Sequence, residues 1–328
     1  MSADYILYAL MGITAISILM IMFERKVYRI IIYTAIFSLI ISGIYLVLGS
    51  PDVAMAEAAI GAYAIIFMIV MAEKYYKRDK TDAEGKKKAP VVISKASSSL
   101  PQVLGGLVFV GALAALFVHF APTSVEANLE LRTDYLLRAG DEVGGQNVIG
   151  AILMAYRLYD TLFEALLLVI AIMAVSHLSW LGKDYITKGR KSDIQKDKVA
   201  FYSIRIISPL ILMFGIYLVA NGHISAGGGF QGGLAIACFF ICRYMIHDIY
   251  DMPVKKVLKM EEIVFMALVI VAVLTIFLNV DVPYQHTVLF QNFQLIAANA
   301  LVGVKVACGF FILFYRYITI ERTEKLEK

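Results

Sequence analysis

The sequence predicts an all-α polytopic membrane protein of about nine transmembrane helices, with its N-terminus outside and its C-terminus in the cytoplasm. Three observations predict it. The 328 residues are 60% hydrophobic and only 17% charged, where a soluble domain carries about 25% charged residues. Apolar windows recur along the chain, each with the roughly 18 or more residues needed to cross a bilayer. The charges gather in the gaps between those windows, and the basic ones crowd into alternate gaps.

Nine spans follow in order: 4–23, 30–49, 53–73, 102–120, 151–176, 204–221, 230–247, 262–280 and 297–315. The first, "DYILYALMGITAISILMIMF", is long enough to span, and no small-residue cleavage site follows it, so it reads as a span and not as a cleaved signal. The third begins just after Pro51, a residue suited to the first turn of a helix. The polar stretch "EKYYKRDKTDAEGKKKAP" has no apolar period and reads as a linker, and "GKDYITKGRKSDIQKDK" is a second connector. They divide the chain into a three-span block (1–80), a two-span block around an outer loop (81–185) and a four-span block (186–328).

The basic residues of segments 24–29, 74–95, 183–205, 243–259 and 316–328 share one side of the membrane in this order, and the other side holds only Arg132 and Arg138. Cytoplasmic loops carry the excess of Lys and Arg, which sets the orientation. The basic loops therefore face anionic lipid, and nucleic acid is not a partner. No soluble catalytic domain fits between the spans. Cys238, Cys242 and Cys308 all lie inside spans without a C-x-x-C pair, so neither a metal nor an iron–sulfur site is expected.

The segment "HISAGGGFQGG" (223–233) is the most unusual stretch. Gly227, Gly229 and Gly232 fit a G-x-G-x-x-G spacing, but a dinucleotide turn needs a strand before it and a βαβ unit around it. Here a membrane span lies on each side, and the turn falls on the outer face. What remains is a glycine turn entering a membrane helix, with Gly228 and Gly233 completing it and His223, Gln231 and Ser225 as its polar side chains beside Phe230. Glycine allows positive φ and close backbone approach, and small residues let membrane helices pack tightly. Exposed N–H groups at the helix start can also face an ion path.

Ionisable groups at membrane depth are costly and serve as functional candidates. In "GSPDVAMAEAAIGA" Asp52 suits the positive end of a helix, whereas Glu57 lies one and a half turns deeper among alanines. Glu57 is read as an ion or proton carrier, or as half of a pair with a partner subunit. In "YRLYDTLFEALLLV" Arg157, Asp160 and Glu164 stand at i, i+3 and i+7, one helical face. They form either a neutralised pair that locks two helices, leaving Glu164 free to take up a proton, or part of a transport path. Lys305 lies about a third of the way into the last span. It is read as a proton relay, or as the partner of one of these carboxylates or of a neighbouring subunit. Sodium prefers oxygen ligands, and Asp52, Glu57, Asp160 and Glu164 supply them. Of the histidines, His119 and His286 fall near outer ends, His177 near an inner end, and His223 beside the glycine turn.

These motifs carry a resemblance to three families joined end to end. Block one resembles the small MbhD-type subunit on "GSPDVAMAEAAIGA", and block two the MbhE-type subunit on "QNVIGAILMAYRLYDTLFE". Block three resembles the MrpB subunit, MbhF in the hydrogenases, on "ISPLILMFGIYLVANGHISAGGGFQGG". Asp52, Glu57, Arg157, Asp160, Glu164, Pro209, His223 and residues 227–233 carry over at matching positions. Ala155, Gly150 and Ala226 depart from the usual aspartate, asparagine and proline. The resemblance implies a subunit of an Mrp-type sodium/proton antiporter module in the cell membrane. Sodium and protons would be the transported ions, with no cofactor or metal held by this chain. Other Mrp-type membrane subunits, with or without a hydrogenase or reductase arm driven by ferredoxin, would be its partners. The alternative is a scaffold that bridges antiporter-like subunits to a redox arm without itself carrying ions; a further rival is an independent transporter.

Overall fold

A computed structural model describes residues 2–83, 129–178, 198–246, 254–281 and 288–319. Every regular element among them is helical. The long helices are α1 (Ser2–Phe23), α2 (Val27–Val47) and α3 (Pro51–Ala83). A shorter α4 (Leu129–Arg138) leads through a π turn (Ala139–Val143) to α5 (Val148–Ala151), a second π turn (Ile152–Tyr156) and α6 (Leu158–Leu178). Then follow α7 (Lys198–Asn221), α8 (Gly229–Ile246), α9 (Val254–Asp281) and α10 (Val288–Thr319). Six of the described helices are long and apolar enough to cross a membrane: Tyr5–Phe23, Val27–Val47, Pro51–Ala72, Leu158–Val175, Phe201–Asn221 and Gln294–Arg316. The expected span at 102–120, most of the two connectors, His119 and His286 lie outside the described residues.

Local chemistry explains the boundaries. After α2, Gly49 adopts φ 73°, and its N–H bonds Leu46 O while that of Ser50 reaches back to Tyr45 O. This six-to-one closure satisfies the orphan carbonyls of the helix end. Pro51 then opens α3, where a missing N–H costs nothing. The helix runs ten residues past the expected end at 73. Its extension is polar but rich in Lys and Arg, which are good helix formers; an apolar period marks only the part that meets lipid.

The expected single helix over 151–176 is broken. Asn147 caps α5, its Oδ1 accepting from the N–H groups of Ile149 (3.1 Å) and Gly150 (3.3 Å). The N–H of Arg157 bonds Ile152 O, one residue wider than an α-turn. Arg157 itself leaves helical geometry at φ −121°, ψ 37°. The loosened Leu153 carbonyl accepts from Thr161 Oγ1 at 2.8 Å.

The core is built around α10. Of its apolar span 67% is buried, against 11–22% for the other five. Helices α6, α7, α8 and α9 pack on it, α3 docks on α8, α2 lies on α3 and α1 on α2. The entry turn of α8 is held between two neighbours. A Cβ on Gly232 would lie 2.7 Å from Gly215 O of α7, and one on Gly233 would lie 2.9 Å from Val306 Cβ of α10. Small residues at both contacts bring the backbones together. Block one reaches the same core directly: Tyr63 of α3 donates to Phe310 O at 2.9 Å and packs edge-on to the Phe310 ring at 4.7 Å.

Candidate functional site: a buried junction and a buried ion pair

Asp52 stands in the first turn of α3 and is buried. It stands at the positive end of α3, where the sequence puts it, and its carboxylate also bonds across the chain. Oδ1 accepts from Asn147 Nδ2 (3.0 Å) and from the Gly227 N–H (3.1 Å). Asn147 Nδ2 also donates to Gly222 O and Ser225 O, and its backbone N–H to His223 O. On the far side of the turn, the Gly229 N–H donates to Asn299 Oδ1 of α10 at 3.0 Å. Gln231 Nε2 reaches Asp52 O at 3.5 Å. One carboxylate thus ties α3, the segment before α5 and the glycine turn into a single knot.

The glycine turn owes its composition to this knot. Gly227 and Gly228 sit at φ 140° and 145°, which side chains disfavour. The expectation that its N–H groups face an ion path is corrected at two positions, since those of Gly227 and Gly229 are consumed by Asp52 and Asn299. His223 contributes its carbonyl, and its Nδ1 is buried without a hydrogen-bond partner among the described residues. Phe230 packs toward Phe310, ring centroids 6.2 Å apart. An open cleft of about 530 Å³ lies beside the knot, lined by Asp52, Tyr135, Gln146, Asn147, Ile149 and Ser225 among others.

Glu57 lies deeper on α3, half-buried, and accepts from Ser38 Oγ of α2 at 2.8 Å. No cation pairs with it among the described residues. Arg157 and Asp160 do form an ion pair, but both are exposed on the surface of this chain and three residues apart. They do not lock two helices together, because the π turn carries Arg157 out of the helix that was expected to bury it. Glu164 stands exposed on α6, apart from that pair.

Lys305 is wholly buried on α10. It pairs with none of the four carboxylates proposed for it. Its ammonium contacts Glu261 Oε1 of α9, also buried, and lies 5.0 Å from the centre of the Phe265 ring. Glu261, Asn147, Asn299 and Ser38 are the residues that sequence reasoning missed. A signal existed for two: Asn147 directly precedes an apolar run, the position of a helix cap, and Glu261 shares a helical face with Phe265 and Leu268.

The matches to known proteins fall on the same two parts of the chain. Residues 12–78, with Asp52 and Glu57, match the MbhD family, the D subunit of MBH. Residues 200–320, with the glycine turn, Glu261 and Lys305, match the domain related to the MnhB subunit of Na+/H+ antiporter. An uncharacterized protein of Methanocaldococcus jannaschii is 30% identical over 225 residues, covering 56% of this chain and 82% of its own. The chain belongs to the family of this archaeal protein, and it carries an MbhD-type domain followed by an MnhB-related one. The family's antiporter relatives are larger proteins. A probable K(+)/H(+) antiporter A/B subunit of Rhizobium meliloti is 31% identical over 132 residues, 34% of this chain and 13% of its own. A putative antiporter subunit mnhA2 of Staphylococcus aureus is 24% identical over 148 residues, 45% of this chain and 17% of its own. The MbhD–MnhB chain thus spans less than a fifth of the length of either.

Among solved structures, a chain of the Mrp complex from Dietzia shares the fold at a TM-score of 0.67 and 17% identity, covering 93% of this chain and 34% of its own. A chain of the membrane-bound sulfane sulfur reductase, an archaeal respiratory membrane complex, matches at a TM-score of 0.56 and 26% identity. That match covers 66% of this chain and 98% of its own. The MbhD–MnhB chain is therefore a multi-pass membrane subunit of the antiporter-complex class.

Proposed function

We propose that this chain is a subunit of a multisubunit Mrp-type complex in which sodium and proton movement are coupled, and that Glu57 carries ions within it. The observation behind this reading is that the charges within the apolar segments are not equally partnered. Asp52 is occupied by two donors, Arg157 and Asp160 by each other, and Lys305 by Glu261. Glu57 has a hydroxyl and no cation among the described residues. A carboxylate held at membrane depth by a neutral donor can exchange a proton or coordinate sodium through its oxygens. The cleft beside Asp52, whose largely apolar wall also carries Asp52, Tyr135, Gln146, Asn147 and Ser225, opens at the same end of α3. Glu164, facing outward, is placed to meet a neighbouring Mrp-type subunit, and the likeness to a sulfane reductase chain supports a redox arm as a further partner.

The topology that goes with this function has nine spans, the N-terminus outside and the C-terminus inside. The six long apolar helices, α8, α9 and the segment 102–120 supply them. The blocks are 1–80, 81–185 and 186–328, the middle one of MbhE type. A cysteine introduced at Leu137, in the short outer helix, should react with an impermeant reagent added from outside, and one in the C-terminal segment should not.

The transport reading is tested in vesicles carrying the whole complex. Glu57→Gln should lower sodium-dependent proton uptake by about a hundredfold, the low end of what a positioned proton-transferring group contributes, while native gels show normal assembly. Unchanged uptake with intact assembly overturns it. The scaffold reading is favoured by the Asp52 knot alone. It expects Asp52→Ala to fail in assembly, and Glu57→Gln to leave uptake untouched.

A further inference from the structure

We propose that Lys305 and Glu261 exchange a proton with each other inside the membrane, as one step of the ion movement described above. The inference rests on that transport reading. Both side chains are almost wholly removed from solvent, at 0% and 4% exposure, and their charged atoms touch. The Phe265 ring closes over the ammonium at 5.0 Å. On α9, Glu261, Phe265, Leu268 and Ala272 follow at i, i+4, i+7 and i+11, one face of a helix. Except for Glu261 that face is apolar, and Leu268 and Ala272 are buried with it. On α10 the thiol of Cys308 lies one turn beyond Lys305 and is buried as well.

Stability gives a weak reason to keep such a pair. Desolvating two ions offsets most of their attraction, and apolar residues of similar size serve a core as well or better. A low-dielectric site also penalises the separated charges of the ionic form. The alternative form is within one proton transfer. An N–H bond of the Lys305 ammonium breaks, an O–H bond to Glu261 Oε1 forms, and a neutral amine faces a neutral carboxyl. The pair has zero net charge before and after, so the step needs no co-reactant. The other carboxylates singled out in the sequence are not in this contact: Asp52 faces Asn147 and Gly227, Glu57 faces Ser38, and Asp160 faces Arg157. Lys305 stands six residues from Asn299, about 9 Å along α10. A shift of α10 against α9 would therefore change the pair and the Asn299 contact with the glycine turn together.

The test compares Glu261→Gln, Lys305→Met and the double variant in the whole complex. Each single variant leaves one buried charge without its partner and should assemble poorly. The double variant removes both charges, so assembly should recover while sodium-dependent proton uptake stays at least tenfold below wild type. A double variant that recovers both assembly and uptake overturns the proposal, because the pair would then be only a lock. A second readout does not depend on transport. Infrared difference spectra of the purified wild-type complex, taken with and without sodium, should contain a protonated-carboxyl band that Glu261→Asp, which keeps the charge and so the assembly, moves in frequency. Absence of that band, or its persistence unmoved in Glu261→Asp, also overturns the proposal, and this arm decides if the double variant fails to assemble. A wild-type complex without sodium-dependent uptake defeats the transport reading instead, and the infrared band still reports on the pair.

Discussion

Asn147 does more than its size suggests. An amide has two N–H donors and one acceptor oxygen, yet its nitrogen serves Asp52, Gly222 O and Ser225 O while its oxygen caps α5. Three acceptors for two hydrogens means at least one bond is shared. Asn147→Ala would leave the buried Asp52 carboxylate with the Gly227 N–H as its remaining donor among the described residues, and would also uncap a helix. A lost bond to a charged group costs about 1.5–3 kcal/mol, and a lost cap about 1 kcal/mol more. The purified chain in detergent should therefore melt several degrees lower than wild type; an unchanged midpoint would mean that the knot contributes little. Asp52, Glu57 and Lys305 were legible in the sequence because a charge in an apolar window stands out. Asn147 was not, because it introduces a segment whose composition reads as one unbroken span. Glu261 was not, because it adjoins Glu262 and Lys259 at the polar edge of an apolar run, and only the longer α9 shows it to be two turns inside the helix.

Helices announce themselves by length and composition, so their existence was legible and their irregularities were not. The π turn over 152–156 inserts its extra residue without any glycine or proline, so no local signal marks it. It nonetheless decides that Arg157 points outward and that the Arg157–Asp160 pair is exposed. The entry of α8 is the opposite case. Its glycines were conspicuous, and their partners Gly215 on α7 and Gly303 on α10 could be assigned only once three helices met. Packing this close leaves no room for a side chain: a Cβ at Gly232 would stand 2.7 Å from Gly215 O and 2.9 Å from Val219 N, both backbone atoms. Gly232→Leu should destabilise the chain by at least the 1–3 kcal/mol or so typical of overpacking. Gly12→Leu, on α1 where an added Cβ meets nothing within 4 Å, should be nearly neutral in the same detergent melt. Equal losses at both positions would sink the close-packing account of the turn.

The three blocks of the molecule are distant in sequence, and a few specific hydrogen bonds fix the register of their packed helices. Block one meets the rest through Asp52, bonded to Asn147 and Gly227, and through Tyr63 against Phe310. These pairs span 95, 175 and 247 residues of chain. The covalent linker between blocks one and two contributes only effective concentration, and that contribution changes slowly with loop length. Cutting the chain in the polar stretch near residue 90 should therefore leave the contacts intact. Fragments 1–90 and 91–328, produced together in one membrane, should co-purify through a tag on either piece. The bilayer helps by confining both to the same plane. The separated pair is also the more sensitive reporter of the knot, since the linker no longer hides weakened docking. Asp52→Ala should reduce co-purification of the two fragments much more than it lowers the melting point of the uncut chain. Fragments that never associate would show that the linker itself directs docking. Fragments that associate equally well with Asp52→Ala would assign the docking energy to the apolar face of α3 against α8 and α10, with the carboxylate left free for ions.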